Sequence, residues 1–250
     1  MTVTRNNFSG PVVFEPGELP AGVTMVTEEM PDSMNVMPVV FEAAADAPLS
    51  GKLVDFRARH ADPNAKIDGG FYNRADFVIA APGQTLYRWR DVTRLPIAVV
   101  DELPFHLEIV QPKVPLVRNG SMNLKIVAHR KEGFTAPISV LFPFSPPGVG
   151  AASSVTIPEG QNEVTYPLSA NGSAEIRKWP IFALGSADVN GAAWVSSQMA
   201  TLEIAEPYVQ IAMERSDVEQ GKQTDIFCKV TVSRPFEGAA KVQLIGLPAK

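Results

Sequence analysis

Two landmarks held eleven residues apart, three times over, constrain this chain more than any other feature. Phe134-Thr135-Ala136-Pro137-Ile138 recurs as Phe8-Ser9-Gly10-Pro11-Val12 and, more loosely, as Phe236-Glu237-Gly238-Ala239-Ala240. Eleven residues after each phenylalanine stands Ser145-Pro146-Pro147-Gly148-Val149, Leu19-Pro20-Ala21-Gly22-Val23 or Leu247-Pro248-Ala249-Lys250. The constant gap indicates one supersecondary unit used three times. Thirty residues past the phenylalanine, Pro38-Val39-Val40-Phe41-Glu42-Ala43-Ala44 answers Val164-Thr165-Tyr166-Pro167-Leu168-Ser169-Ala170. Pro104-Phe105-His106-Leu107-Glu108-Ile109 and Pro207-Tyr208-Val209-Gln210-Ile211 set the repeat at 103 residues.

That length is the size of an immunoglobulin-like domain. Within residues 104–206, strands are expected at Phe105 to Val110, Gly120 to Arg130, Ile138 to Phe144, Val164 to Leu168, Ile176 to Leu184 and Trp194 to Ile204. Short strands at turn-punctuated intervals without a helical period describe an antiparallel sandwich. The reading is therefore all-β: tandem immunoglobulin-like antiparallel β-sandwiches, one complete (104–206) and two partial (1–103 and 207–250). The first copy starts late, so that Met1-Thr2-Val3-Thr4-Arg5 corresponds to the end of the strand Leu124 to His129. Strands are expected there at Val12 to Phe14, Met37 to Phe41, Leu53 to Arg59 and Pro96 to Val100, with Val54 and Phe56 inward by alternation. The third copy is expected to hold strands near Tyr208 to Met213, Gln223 to Val232 and Lys241 to Leu244, and it could complement the strands the first lacks, within one chain or between chains.

The phenylalanine landmarks lie 126 residues apart in the first interval and 102 in the second, so the first copy carries 24 extra residues, between about 60 and 93. They hold Phe71, Tyr72, Phe77, Tyr87 and Trp89, with Arg74, Arg88 and Arg90 interleaved. A loop this long either folds into its own hairpin or serves a function. Tyr87-Arg88-Trp89-Arg90 alternates aromatic and basic residues as a strand with one apolar and one charged face would. As a ligand surface, the candidate residues are Tyr72, Arg74, Tyr87, Arg88, Trp89 and Arg90.

A formal charge of −5 without a basic block argues against a nucleic-acid partner. Cys228 stands alone, so no disulfide forms within the chain; alternation with Ile226 and Val230 reads it as a buried strand residue. No apolar run reaches the roughly 18 residues of a membrane span, and the first 30 residues do not resemble a signal peptide. His60, His106 and His129 lack partners at metal-ligand spacing and read as surface or strand histidines. Asp62, Asn64 and Asp68 with Gly69-Gly70 read as a turn, since they do not match the calcium-loop ladder. Gly148-Val149-Gly150 begins like a dinucleotide fingerprint, yet two prolines precede it and no helix follows, so its glycines serve a turn. Ser196-Ser197 lies in a closing strand with its hydroxyls toward solvent. No nucleophile, metalloprotease or phosphate-loop motif occurs, and the expectation is a non-enzyme with no cofactor.

The landmarks, with Val114-Pro115-Leu116-Val117-Arg118-Asn119-Gly120-Ser121, Lys131-Glu132-Gly133-Phe134 and Val218-Glu219-Gln220-Gly221-Lys222, resemble the tandem immunoglobulin-like repeats of large exported planctomycete-type bacterial proteins. Such proteins often carry pre-peptidase C-terminal domains as well. The resemblance implies export, an extracellular or cell-surface location and a longer parent chain. The expected role is structural, spacer or adhesive. A second reading makes the aromatic insertion a binding module for glycan or protein, and a third makes the region an accessory to a hydrolase in the same parent chain.

Overall fold

The computed structural model describes residues 1–79 and 86–239. The first hundred residues form β1 (Val12–Pro16), β2 (Val23–Val26), β3 (Val40–Ala43), β4 (Ser50–Val54), β5 (Phe56–His60), β6 (Asp68–Gly70), β7 (Asn73–Ile79), β8 (Leu86–Val92) and β9 (Leu95–Val99). The next hundred form β10 (Phe105–Ile109), β11 (Leu116–Val117), β12 (Ser121–Arg130), β13 (Ile138–Leu141), β14 (Val149–Ala151), β15 (Val155–Ile157), β16 (Glu163–Ala170), β17 (Lys178–Ile181), β18 (Leu184–Asp188), β19 (Ala192–Ser196) and β20 (Ala200–Ala205). Then come β21 (Val209–Met213) and β22 (Cys228–Val232). The expected strand over 241–244 lies outside the described residues. No helix among the described residues is long and apolar enough to cross a membrane.

The sandwich between Phe105 and Ala205 shows why this pattern folds as it does. One sheet runs β10-β12-β16-β14, a second β15-β13-β18-β19, and a third, of three strands, β11-β20-β17. Along β10 and β12, Phe105, Leu107, Ile109, Leu124, Ile126 and Ala128 are buried while His106, Asn123 and Lys125 face out. Tyr166 and Leu168 of β16 continue the inner face. Opposite them stand Ile138, Val140 and Ala187. The sheets approach so closely at Gly185 that a β-carbon there would lie 2.6 Å from Leu107 Cδ1 and 3.3 Å from Ile138 Cγ2. Each fully buried aliphatic side chain contributes roughly 1.5–3 kcal/mol. The fold is all-β, built of immunoglobulin-like antiparallel sandwich, with one parallel pair among the described residues, where β11 runs beside β20.

Two expected strands divide. Leu53 to Arg59 breaks at Asp55: β4 pairs with β9, whereas β5 pairs with β1 and β6. Val54 and Phe56 are inward as alternation required, at 1% and 3% exposure. Ile176 to Leu184 breaks in the same way: β17 pairs with β20, and β18 with β13 and β19. A strand that changes sheets must leave its ladder for a residue or two, and those backbone groups need other partners. Gly17 N–H donates to the Asp55 carbonyl at 2.6 Å. At the second break, Ala183 N–H donates to Ser197 Oγ at 3.0 Å, and that hydroxyl donates to the Gln198 carbonyl at 2.9 Å. Ser197 is therefore buried at 1% exposure, not solvent-facing; the break in the neighbouring strand gives its hydroxyl this work.

The repeat landmarks coincide in backbone detail. Gly22 and Gly148 both adopt left-handed φ, +75° and +79°. Val23 N–H donates to the Pro20 carbonyl at 3.1 Å and Val149 N–H to the Pro146 carbonyl at 2.9 Å. The glycines of Gly148-Val149-Gly150 thus serve a turn. Met1 exchanges backbone bonds with Met37 across the first unit, 2.8 and 2.9 Å, and Val127 pairs with Glu163, 126 residues further on.

The hairpin β21–β22 requires a one-residue revision of the landmark alignment. It pairs Val209 with Val232 through Met213 with Cys228, whereas β10–β12 pairs Phe105 with Arg130 through Ile109 with Ile126. Arg130 and Val232 are 102 residues apart, the phenylalanine spacing, so Val209 rather than Tyr208 stands at the place of Phe105. The parity then agrees: Val209, Ile211, Met213, Cys228, Val230 and Val232 share one face. Among the described residues nothing covers that face, so Cys228 is exposed where a buried residue was expected. Within the chain β21–β22 pairs with neither β3, β4 nor β5, so complementation inside the chain is not formed among the described residues.

Candidate functional site

The insertion folds as an antiparallel hairpin, β7 against β8, between β6 and β9. Arg74 opposes Asp91 and Asp76 opposes Trp89, which sets these four on one face; Ala75 and Arg90 take the other. A register irregularity between Asp76 and Val78 follows. The expected alternation sets Trp89 and Arg90 on opposite faces, but the Trp89 face also carries Arg74, Asp76 and Asp91 and so is not apolar, and Arg88, Trp89 and Arg90 are all exposed. The side chain of Tyr87 lies outside the description.

Tyr72, Arg74, Trp89 and Asp91 form one linked group. The Tyr72 hydroxyl donates to Asp91 Oδ1 at 2.9 Å, and Arg74 Nη2 donates to the Tyr72 oxygen at 3.1 Å. Arg74 Nε reaches Asp91 Oδ1 at 3.4 Å, and its guanidinium carbon sits 5.2 Å from the centre of the Trp89 ring. Cation–π contact and ion pairing thus hold the indole in place on one side. Trp89 nevertheless stays 50% exposed and Tyr72 57%, so aromatic surface is fixed in orientation and open to solvent.

Tyr72 also lines a cleft of about 650 Å³ between the hairpin base and the β4–β5 strand. Its walls include Lys52, Asp55, Arg57, Phe71 and Arg94. Lys52 Nζ pairs with Glu18 Oε2 at 2.8 Å, and Arg57 pairs with Asp68. Among the described residues, the side chains of Asp55 and Arg94 make no hydrogen bond or ion pair. The sequence singled out Tyr72 but not Lys52, Asp55 or Arg94. Alternation around Val54 and Phe56 did place Asp55 and Arg57 on an outer face, and that was the available signal.

The hydrogen bond from Lys52, with its charge, lowers the Glu18 carboxyl below its ordinary value, and Lys131 does the same for Glu102. A depressed folded pKa contributes stability that is present above the unfolded value and is lost as pH falls through the folded one. In a carbon-detected acid titration, both carboxylates should ionise below the ordinary glutamate range. Lys52→Met should return Glu18 alone to it; an unchanged Glu18 would show that the pair does not form in solution.

The histidines hold no comparable arrangement. His106 and His129 are opposed on β10 and β12 with their rings stacked at 4.5 Å, and His129 Nε2 lies 2.7 Å from Glu108 Oε2. Asp62 caps the 3-10 turn Pro63–Ala65, accepting from Asn64 N–H at 2.9 Å, while Asp68 turns to Arg57. Among the described residues no three His, Cys, Asp or Glu side chains gather into a metal-binding group.

No protein-family model matches the chain, and no curated protein sequence does. A solved structure of Clostridium thermocellum CbhA fibronectin(III)-like modules shares 12% identity and covers 81% of this chain and 83% of its own, with a TM-score of 0.25. That superposition is loose, and the fold class rests on the sheets and registers described above. They define a protein of immunoglobulin-like antiparallel sandwich with a solvent-exposed aromatic and basic hairpin.

Proposed function

We propose that this chain is a non-catalytic region of a large exported bacterial protein, organised as tandem sandwiches over 1–103, 104–206 and 207–250. In this proposal it acts as a spacer that carries a recognition surface. Support for the tandem reading comes from the recurring left-handed glycine turn, the recurring change of sheets and the parity-matched β10–β12 and β21–β22 pairs. Short junctions at Pro104 and Pro207 would restrict rotation between units, as a spacer needs.

The observation that carries the recognition half is Trp89: an indole held by Arg74 and still half exposed. A large aromatic side chain kept in water contributes little to folding, while its exposed face can stack on a sugar ring or fill a pocket in a partner. Retention of the chain on immobilised polysaccharides and cell-wall fractions tests this. Trp89→Ala should abolish retention and leave the thermal unfolding midpoint within about 2 °C of the parent, as expected for a surface change of roughly 0.5 kcal/mol or less. Equal retention of parent and variant would remove the hairpin from the reading.

A further inference from the structure

We infer that the cleft beneath the hairpin is a subsite for an extended, neutral, β-1,4-linked glycan whose next sugar stacks on Trp89. The inference rests on the recognition half of the proposed function and names its ligand. Two features favour a polyol over a charged ligand. The cleft walls carry both signs: Glu18 and Asp55 face Lys52, Arg57 and Arg94. Three of these charges are already committed, Lys52 to Glu18 and Arg57 to Asp68, leaving Asp55 and Arg94 without partners among the described residues. One carboxylate and one guanidinium in the same cleft wall, neither held by a hydrogen bond or ion pair among the described residues, present acceptors and donors with no net charge, and this suits hydroxyl groups, which both give and take hydrogen bonds.

The aromatic geometry supplies the second part. Tyr72 belongs both to the cleft wall and to the Arg74–Trp89–Asp91 group, so it links the cleft to the indole through Arg74. Because Arg74 covers one face of the Trp89 ring, a single face is offered, and β-1,4-linked pyranoses present flat C–H faces that match it. The groove around the 3-10 turn, about 800 Å³, is the larger opening, but most of its polar groups are already committed, Arg59 to Glu15 and Asp68 to Arg57, and among the described residues no aromatic ring other than that of His60 lines it. His60 Nδ1 accepts from Asp62 N–H at 2.9 Å, and Asp62 accepts from Asn64.

Isothermal titration of the full chain with cellohexaose, chitohexaose and hexagalacturonate tests the assignment. A neutral hexasaccharide should bind and hexagalacturonate should not. Trp89→Ala and Asp55→Asn should each weaken binding by about tenfold, the worth of one stacked ring or one charge-assisted hydrogen bond. Trp194→Ala, an equally exposed tryptophan on β19, should leave affinity unchanged. Arg94→Gln should weaken binding while Arg94→Lys restores part of it, a rescue that a purely structural role would not give. If Trp89→Ala weakens binding and Asp55→Asn and Arg94→Gln do not, the cleft assignment falls and the hairpin reading stands. Binding of hexagalacturonate alone overturns the neutral class, and binding of none of the three overturns the glycan assignment.

Discussion

Trp179→Ala is expected to destabilise the sandwich between Phe105 and Ala205 by about 3–5 kcal/mol, the cost of deleting a fully buried tryptophan. Trp179 has 0% exposure, its indole N–H donates to the Glu175 carbonyl at 3.1 Å, and the Arg177 guanidinium lies 4.5 Å from its ring centre. It sits on β17, the half-strand that pairs with β20 before the chain crosses to the other sheet. The loss therefore leaves a cavity and removes a part-buried hydrogen bond. Denaturant unfolding followed by far-UV circular dichroism measures the change. Trp89 and Trp194 are both about half exposed, so the blue-shifted part of the tryptophan emission belongs to Trp179 and should disappear with it. A loss below about 1 kcal/mol would contradict a close-packed sandwich at this position.

Gly148→Ala should cost about 2–4 kcal/mol, through two separable causes. The first is backbone: φ of +79° is a left-handed conformation that L-residues avoid. The second is space, because the new β-carbon would lie 2.6 Å from Ala174 Cα and 2.8 Å from its nitrogen, and backbone cannot step aside as a side chain can. Gly133 separates them. Its φ is +84°, yet nothing lies within 4 Å of a β-carbon there. Gly133→Ala should therefore show the backbone cost alone, about 1–2 kcal/mol. Equal effects at the two positions would mean that the Gly148 turn does not press on Ala174.

How much of this was legible in the sequence depended on which interactions set each feature. The long strands were readable because burial on one face forces alternation, and Phe105, Leu107, Ile109, Leu124 and Ile126 all obey it. The hairpin at β7–β8 was readable from the spacing difference between landmarks. The changes of sheet at Asp55 and at Phe182-Ala183 were not, since alternation continues across them and only the pairing partner changes. Ser197 follows from the same blindness, because its burial is decided by a backbone break fourteen residues away in sequence. Cys228 was misread because alternation reports which residues share a face, not whether anything covers it. Of the candidate site, Tyr72, Arg74 and Trp89 come together as one group, Arg88 and Arg90 are exposed beside them, and Tyr87 lies outside the described side chains. Asp55 and Arg94 escaped notice because a cleft is assembled from segments about forty residues apart.

The pairing of β21 with β22 also bears on how such units drift in length. Ile109 meets its partner seventeen residues later at Ile126, and Met213 meets its partner fifteen later at Cys228. A connection this long can shorten by any number without disturbing the pairing, whereas losing one residue inside a strand would turn over every side chain beyond it and bring Gln210 or Lys229 to the apolar side. Between diverged units of this kind, changes of any parity are therefore expected in the connections, while a change inside a strand keeps the faces only if it is even or a bulge absorbs the odd residue.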